Sequence, residues 1–329
     1  MNPGNRYFDE LSGHFTPFSG SRAVQVCREL ESGGFTYDAP PACVLSFDGD
    51  SDFRSPDEGW SEYLKRRAGG AGKLKEFREA LVDAYEASAF ADFLERHAED
   101  YRRWLAQASS GFDAEAISSW LESFYGISSP PMYHFVLAPA MFPGGGYGFS
   151  RTTQEGGFPR LHVYQIVRAQ GSADREPGFP SGRDLAILGL HEFGHSFVNP
   201  ALESSGDKRL GAIFTPVART MASMAYGQVS TFLNELVLRA ACIIAYQDLG
   251  ILSGPAAEAE ARSEHRKGFY PIGRVIELLE EYSADRGRYS DFLSYGPILL
   301  ERLASESRTI VEKGSREGYS GEGVPTGSR

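Results

Sequence analysis

Two histidines and a glutamate with the spacing of a metal site stand near the middle of the chain, in the run His191-Glu192-Phe193-Gly194-His195. Residues four apart lie one above the other on one face of an α-helix, so the His191 and His195 imidazoles can bind a single metal ion. Glu192 is rotated too far round the helix to join them as a ligand, but it can reach a water molecule on that ion. The spacing therefore predicts a zinc site with Glu192 as its general base.

The alternative is an ordinary helix with two half-buried histidines and a solvated glutamate, and the flanking residues argue against it. Apolar residues surround the motif on nearly every side: Leu185, Ile187, Leu188, Leu190, Phe193, Phe197 and Val198. Such a helix belongs inside the protein, where an unpaired polar group costs a few kcal/mol and a zinc ion would satisfy all three polar side chains. We expect the helix to stop at Asn199-Pro200, because the residue before a proline resists the α conformation.

A third ligand is expected from another element, and two glutamates are candidates. Glu235 lies in the segment 229–246, which is apolar almost throughout, so its carboxylate must be paired. It can pair with Arg239 one turn later, ligate zinc, or do both. The rival, Glu203, follows the Asn199-Pro200 break in a polar loop. We favour Glu235 as the ligand.

These features resemble the zincin metallopeptidases over about residues 132–303. The metzincin branch requires a glycine and a histidine where this chain has Val198 and Ala201. The chain looks more like the gluzincins, in which a glutamate on a later helix supplies the third ligand. More narrowly, three groups of residues resemble a bacterial family of uncharacterised metallopeptidases: the run 191–200, Asn234-Glu235 with Arg239, and Tyr282 with Arg286 and Tyr289. The resemblance implies a fold and a metal, but no known substrate.

Three protein ligands leave a fourth position open, where zinc lowers the pKa of a bound water toward about 7. Glu192 would take the proton of that water and deliver it to the leaving nitrogen of a peptide bond. Related enzymes hold the oxyanion with a later tyrosine or histidine, and the candidates in this chain are Tyr226, His265, Tyr270, Tyr282, Tyr289 and Tyr295. We expect Tyr289, because it follows Glu235 at a gluzincin-like distance.

The composition limits the partners and the compartment. With a formal net charge of −11 and no run of Lys and Arg, the surface suits neither nucleic acid nor an anionic membrane. We recognise no signal peptide and no apolar run of membrane-spanning length. The expected compartment is the cytoplasm by default, or a secreted or periplasmic one if a signal has been trimmed. The three cysteines contain no C-x-x-C pair that could bind a metal. The sequence does not decide whether Cys27 and Cys43 form a disulfide.

Residue periodicity predicts an α+β protein that is predominantly helical. Helical spacing covers most of 60–125 and recurs in the motif helix and between 268 and 311, and four short strands are expected at 42–47, 132–137, 147–152 and 160–167. We interpret 130–313 as a zincin-like unit with a small mixed sheet and the motif helix. A mostly helical portion, 1–129, precedes it, and a disordered tail, 314–329, follows.

The leading functional hypothesis is zinc-dependent hydrolysis of peptide bonds, with a peptide or protein as the substrate. Two alternatives stay open. One is a catalytically silent zincin scaffold that binds a peptide or protein. The other is a zinc hydrolase that acts on a non-peptide amide.

Overall fold

The fold was obtained as a computed structural model, which describes residues 4–47, 60–141, 147–171, 174–203 and 207–317. It is mostly helical, at 66%, with one small mixed sheet, so the predicted α+β class is confirmed. The chain forms two compact units, the first from Met1–Phe112 and Pro131–Leu185 and the second from Asp113–Pro130 and Ala186–Arg329. The predicted division near residue 129 stays a prediction.

Unit 1 contains seven complete α-helices among its described residues, besides the short 3₁₀ helix Thr16–Phe18. They are α1 Arg6–Phe15, α2 Arg22–Ser32, α3 Ala39–Val44, α4 Glu62–Ala68, α5 Ala71–Ala87, α6 Phe90–Arg96 and α7 Ala98–Ser109. Helices α2 and α5 pack on each other, and α4 packs on α5. Val26 and Leu30 of α2 are buried in one apolar core with Leu74 and Phe77 of α5. The charged residues of these amphipathic helices remain at the surface.

The sheet of unit 1 has three strands, β1 Met132–Ala138, β2 Tyr147–Glu155 and β3 Phe158–Arg168, in the order β1-β3-β2. The first is parallel to the central β3 and the second is antiparallel to it, which makes the sheet mixed as predicted. Three of the four predicted strands are therefore confirmed. The glycines at 144, 145, 146 and 148 predict a tight turn before β2, and most of that run lies outside the described residues.

The fourth predicted strand, at 42–47, is wrong. Residues Ala42 to Val44 belong to α3, which has proline in its first turn. Proline is favoured there because its fixed φ suits the helix and the missing N–H would have no partner in any case. The short apolar run that follows fits a buried helix as well as a strand, and Ala42 and Cys43 are buried as helical residues.

The described residues of unit 2 form helices and the turns between them, without a strand. Helix α9 begins in unit 1 and continues into unit 2. Its helices are α8 Ala114–Tyr125, α9 Gly182–Ala201, α10 Lys208–Phe214, α11 Ala218–Ser223, α12 Val229–Asp248, α13 Gly254–Arg266, α14 Ile272–Ala284 and α15 Phe292–Arg316. Helix α12 is the central one, because it packs against α10, α13 and α14 and most of its residues are buried.

Three helices differ from the predictions, two at their C-terminal ends and one because it was not predicted. Helix α9 runs through Pro200 to Ala201, since a proline one residue from the end removes only one helical hydrogen bond. Helix α15 reaches Arg316, past the predicted start of the tail, and residues 318–329 lie outside the described part. Helix α13 was not predicted, although Ser253 at its N-cap and a proline in its first turn are typical start signals.

Helix α12 is long and apolar enough to cross a membrane by length and composition, contrary to our sequence-based expectation that no run would be. Its most apolar window is 67% buried inside the protein, which is typical of the core helix of a globular unit. Cys27, Cys43 and Cys242 are all free thiols, so the structure contains no Cys27–Cys43 disulfide.

Candidate metal centre

The two motif histidines lie on α9 as the spacing predicts. The rings of His191 and His195 are 5.0 Å apart between centroids and almost perpendicular, at 87°. Their side chains keep 22% and 26% of their surface exposed, so the imidazoles are recessed but still open to solvent. A ligand or substrate from solution can therefore reach them.

Helix α12 brings Glu235 to the same place. Its side chain is only 8% exposed, with Oε1 3.3 Å from His195 Nε2 and Oε2 3.9 Å from His191 Nε2. One ligand atom from each of the three residues lies within 4.8 Å of the other two. Ligand atoms around a tetrahedral zinc ion are roughly 3.4 Å apart for bonds of about 2.1 Å, so these residues fit one ion with small side-chain adjustments. The buried His-His-Glu group can hold a metal ion.

The charges of this group suit a cation. Burial by itself would raise the pKa of Glu235, but the hydrogen bond with His195, the two imidazoles and Arg239 together lower it to about 2. Burial lowers the pKa of His191 to about 4, despite the opposing charge of Glu235. Near pH 7 the Glu235 carboxylate is therefore ionised and the His191 imidazole is neutral. These are the forms of both side chains that bind metals.

The pKa values of His195 and Glu192 are raised, whereas those of His191 and Glu235 are lowered. Burial lowers the pKa of His195, but its hydrogen bond to Glu235 and the nearby negative charges outweigh burial and raise it. Burial raises the pKa of Glu192, helped by the charge of Glu235 and opposed by His195. A carboxylate with a raised pKa is better matched to proton transfer near neutral pH than an ordinary glutamate.

A close contact between the two ligand helices brings the ligands together. A β-carbon at Gly194 of α9 would lie 2.5 Å from Leu238 Cδ1 of α12 and 3.2 Å from the Tyr125 hydroxyl of α8. Real β-carbons essentially never approach another atom that closely, and Leu238 is completely buried. A larger residue at position 194 would have to displace the Leu238 side chain or separate the two helices, and Glu235 lies one turn before Leu238 on the facing helix.

Polar neighbours orient two of the three ligands. His195 Nδ1 is 3.2 Å from the amide oxygen of Asn199, so a proton on Nδ1 leaves Nε2 free to face Glu235 and an ion. Arg239 Nε donates to Glu235 Oε2 at 3.1 Å. The predicted pairing of Glu235 with Arg239 is confirmed, and Glu235 also faces both histidines, while its role as a zinc ligand stays a prediction. Asn199 was expected only to end the helix, although its position four after His195 was the available signal.

The other predicted site residues lie elsewhere. Glu203 is exposed in the turn after α9 and does not belong to the His-His-Glu group. Tyr289 is buried, with its ring against Tyr282 and Tyr295, and among the described residues none of its contacts is with the metal-binding group. Tyr282 donates to the Phe124 carbonyl at the end of α8, as does Arg286, so these two residues hold a helix terminus.

Tyr226 is the candidate hydroxyl that the structure does bring to the group. Its oxygen is 3.2 Å from Arg239 Nη2. Burial raises the pKa of Tyr226, and the negative charges of Glu235 and Glu192 raise it further against the opposing effect of Arg239. The preceding residue, Ala225, has a φ of 68°, in the left-handed region, within the turn that presents the tyrosine. The phenol therefore keeps its proton near pH 7.

The site thus consists of two half-buried imidazoles and a buried carboxylate from two helices in contact, a group that can hold a metal ion. The chain belongs to the family described as a domain of unknown function, DUF4932, whose sequence profile matches residues 2–301. That match covers both ligand helices and most of each unit. No curated protein and no solved structure matches the chain.

Proposed function

We propose that this protein is a zinc-dependent hydrolase of peptide bonds. The observation that carries the proposal is the His191–His195–Glu235 group, with Glu192 on the same helix as the histidines and its pKa raised by burial. Two histidines and one carboxylate are a ligand set that catalytic zinc sites use, with a fourth position left for water or substrate. The partial exposure of both imidazoles supports access from solution.

In this proposal, separate side chains bind the metal and transfer the proton. A zinc ion, when bound, would polarise the substrate carbonyl and acidify the attacking water. His191, His195 and Glu235 hold the ion. The Glu192 carboxylate accepts the proton of the water and passes it to the leaving nitrogen, which requires its ionised form before the attack and its neutral form afterwards.

A neutral hydroxyl near the ion is needed to stabilise the developing oxyanion. We propose Tyr226 for this role ahead of Tyr289, because its hydroxyl contacts Arg239, which in turn contacts the ligand Glu235. The raised pKa of Tyr226 keeps its proton available for donation. Tyr289 remains the alternative drawn from the family resemblance.

The first experiment tests the ligand set. Metal analysis of protein purified without chelator should give near one equivalent of zinc. Glu235→Ala should lose the metal, whereas Glu203→Ala, the matched change at an exposed glutamate in the turn after α9, should keep it. Retention of zinc by Glu235→Ala would remove Glu235 from the site.

The second experiment tests the chemistry. Glu192→Gln should keep zinc and reduce cleavage of a peptide library by about 10² to 10⁴, the usual contribution of a general base. Undiminished cleavage would exclude Glu192 as the base. A wild-type protein that binds zinc yet cleaves no peptide would point to a silent peptide-binding scaffold, and cleavage confined to non-peptide amides would identify the other alternative.

A further inference from the structure

Arg239 occupies the side of Glu235 that faces away from the His195 imidazole. All three of its nitrogens have partners: Nε donates to Glu235 Oε2 at 3.1 Å and Nη1 donates to Glu264 Oε2 at 3.0 Å. Nη2 lies 3.0 Å from the same Glu235 oxygen and 3.2 Å from the Tyr226 hydroxyl. The guanidinium also lies over the Phe269 ring, 4.7 Å from its centroid. Its orientation is therefore set by partners on both edges and on one face.

Glu264 supplies the second carboxylate of this arrangement, and it comes from α13. Its side chain is 6% exposed and is bound by Arg239 Nη1 and by Lys267 Nζ, the latter at 2.6 Å. A buried carboxylate is costly unless it is paired in this way. The proposed hydrolysis gives Glu264 no role, and it makes no contact with the histidines among the described residues.

The effect of Glu264 follows from the geometry that arginine prefers. A guanidinium tends to bind a carboxylate through two parallel hydrogen bonds, one to each oxygen. Here Arg239 makes its hydrogen bond to Glu235 through Oε2, and Oε1 stays 3.3 Å from His195 Nε2. Nε and Nη2 are both directed at Oε2, and the hydrogen bond of Nη1 to Glu264 holds the guanidinium in this orientation rather than in the one that would bind both oxygens of Glu235.

We propose that Glu264 is a positioning residue of the metal centre. By holding Arg239 on one oxygen of Glu235, it keeps the other oxygen available to the ion beside the imidazoles. This inference rests on the proposed metal site but not on the proposed hydrolysis. The competing account is that Glu264 only neutralises the buried Arg239 and supports the fold.

The test is the metal affinity of Glu264→Gln, which keeps the size and one acceptor of the side chain and removes its charge. The apparent Kd for Zn²⁺ is measured by chelator competition, and the Co²⁺-substituted protein gives the visible spectrum of the ligand field. We expect the affinity to fall by about tenfold or more, within the range of about 10 to 100 for residues that orient metal ligands, with an altered Co²⁺ spectrum. Glu258→Gln, on the same helix but with a 74% exposed side chain, should change neither.

Thermal unfolding of the metal-free variants separates positioning from support of the fold. A lower melting temperature for Glu264→Gln with wild-type Zn²⁺ affinity and spectrum would overturn the proposal. If Glu264→Gln does not fold, Lys267→Ala tests the same link more gently, because Lys267 is half exposed and, among the described residues, contacts the site through Glu264 alone. It should weaken Zn²⁺ binding in the same direction by a smaller factor, and an unchanged affinity would overturn the proposal.

A double variant tests whether the effect passes through Arg239. If Glu264 acts by orienting the guanidinium, Arg239→Lys and Arg239→Lys/Glu264→Gln should lose nearly the same Zn²⁺ affinity. Fully additive losses would contradict that route. Wild-type protein that binds Zn²⁺ without cleaving peptides would defeat the proposed hydrolysis alone, whereas peptide cleavage with unchanged affinity in Glu264→Gln would defeat this inference alone.

Discussion

Replacing Gly194 by alanine places one methyl group into the contact between the two ligand helices. The new β-carbon would be 2.5 Å from Leu238 Cδ1, well short of the roughly 3.5 to 4.0 Å that two carbon atoms prefer. It would also lie 3.2 Å from the Tyr125 hydroxyl. Leu238 is completely buried, so the helices must separate or its side chain must take another rotamer inside the core.

Two opposing terms determine the change in the free energy of unfolding. Alanine is favoured over glycine inside a helix by about 1 kcal/mol, which stabilises the variant. Forcing an extra carbon into a packed core costs about 1 to 3 kcal/mol, and the short distance at Gly194 places this site toward the upper end. We therefore expect Gly194→Ala to lower the free energy of unfolding by about 1 to 2 kcal/mol.

The same displacement should weaken metal binding. Glu235 lies one turn before Leu238 on α12, so a shift of that helix moves the carboxylate relative to both imidazoles. Zinc requires its ligands at bond lengths of about 2.0 to 2.2 Å, and a separation of even half an ångström is then felt. We expect an apparent Zn²⁺ affinity lower by on the order of tenfold, as for other changes that misplace a ligand.

The assays are urea unfolding of the metal-free protein and chelator competition for Zn²⁺. Gly211→Ala is the matched control, because a β-carbon at that helical position meets no atom within 4 Å. It should raise the free energy of unfolding by up to about 1 kcal/mol and leave Zn²⁺ binding unchanged. If Gly194→Ala behaves like Gly211→Ala in both assays, then the close helix approach does not determine the metal site and the reasoning is refuted.

Three further predictions concern the hydroxyl donor, a helix cap and protons. Tyr226→Phe should reduce kcat for peptide cleavage by about 10² or more while keeping zinc, as loss of an oxyanion donor does, whereas Tyr289→Phe should leave kcat near the wild-type value; steady-state kinetics with metal analysis checks both. Asp291 caps α15 through a 2.8 Å hydrogen bond, so Asp291→Ala should lower the free energy of unfolding by about 1 kcal/mol and Asp291→Asn by less, as measured in urea. Zn²⁺ competes with a proton for His195, whose pKa is raised, so the apparent Zn²⁺ affinity should fall tenfold per pH unit as the pH drops below that pKa. The fall should steepen to a hundredfold per pH unit only near pH 4, where His191 also binds a proton.

Each of these has an outcome that contradicts it. The reverse order of the two tyrosine variants would return the donor role to Tyr289. An alanine at position 291 as stable as the wild type would show that the cap does not limit stability. A hundredfold loss of affinity per pH unit starting near pH 6 would mean that both imidazoles take up protons together, contrary to the lowered pKa of His191.

Much of the site was predictable from the sequence because the relevant spacing is local. The rise and turn of an α-helix fix the relation of His191, Glu192 and His195 once the helix forms, and the apolar neighbours specify that helix. The pairing of Glu235 with Arg239 on one helix face follows from the same period. The three strands were predictable because their segments are rich in Val, Ile, Tyr and Phe and are separated by Gly and Pro.

Short segments with mixed signals were not predictable in this way. The run Ala42 to Phe47 is too brief for its period to distinguish a strand from a helix, and the two prolines before it proved decisive. The start of α13 carried a recognisable cap, yet its polar sequence shows a weak apolar stripe. Missing α13 also meant missing Glu264.

The sequence by itself determined which residues share a helix face, and therefore that the imidazoles of His191 and His195 can bind one ion. Only the tertiary structure decided which distant acid joins them, since Glu235 reaches the histidines because Gly194 allows α9 and α12 to touch. The same packing brought Tyr226 and Glu264 to Arg239, across 13 and 25 positions of the chain. The physical reason is range: helical spacing arises from hydrogen bonds four residues apart, whereas contacts between helices depend on how whole apolar faces fit together.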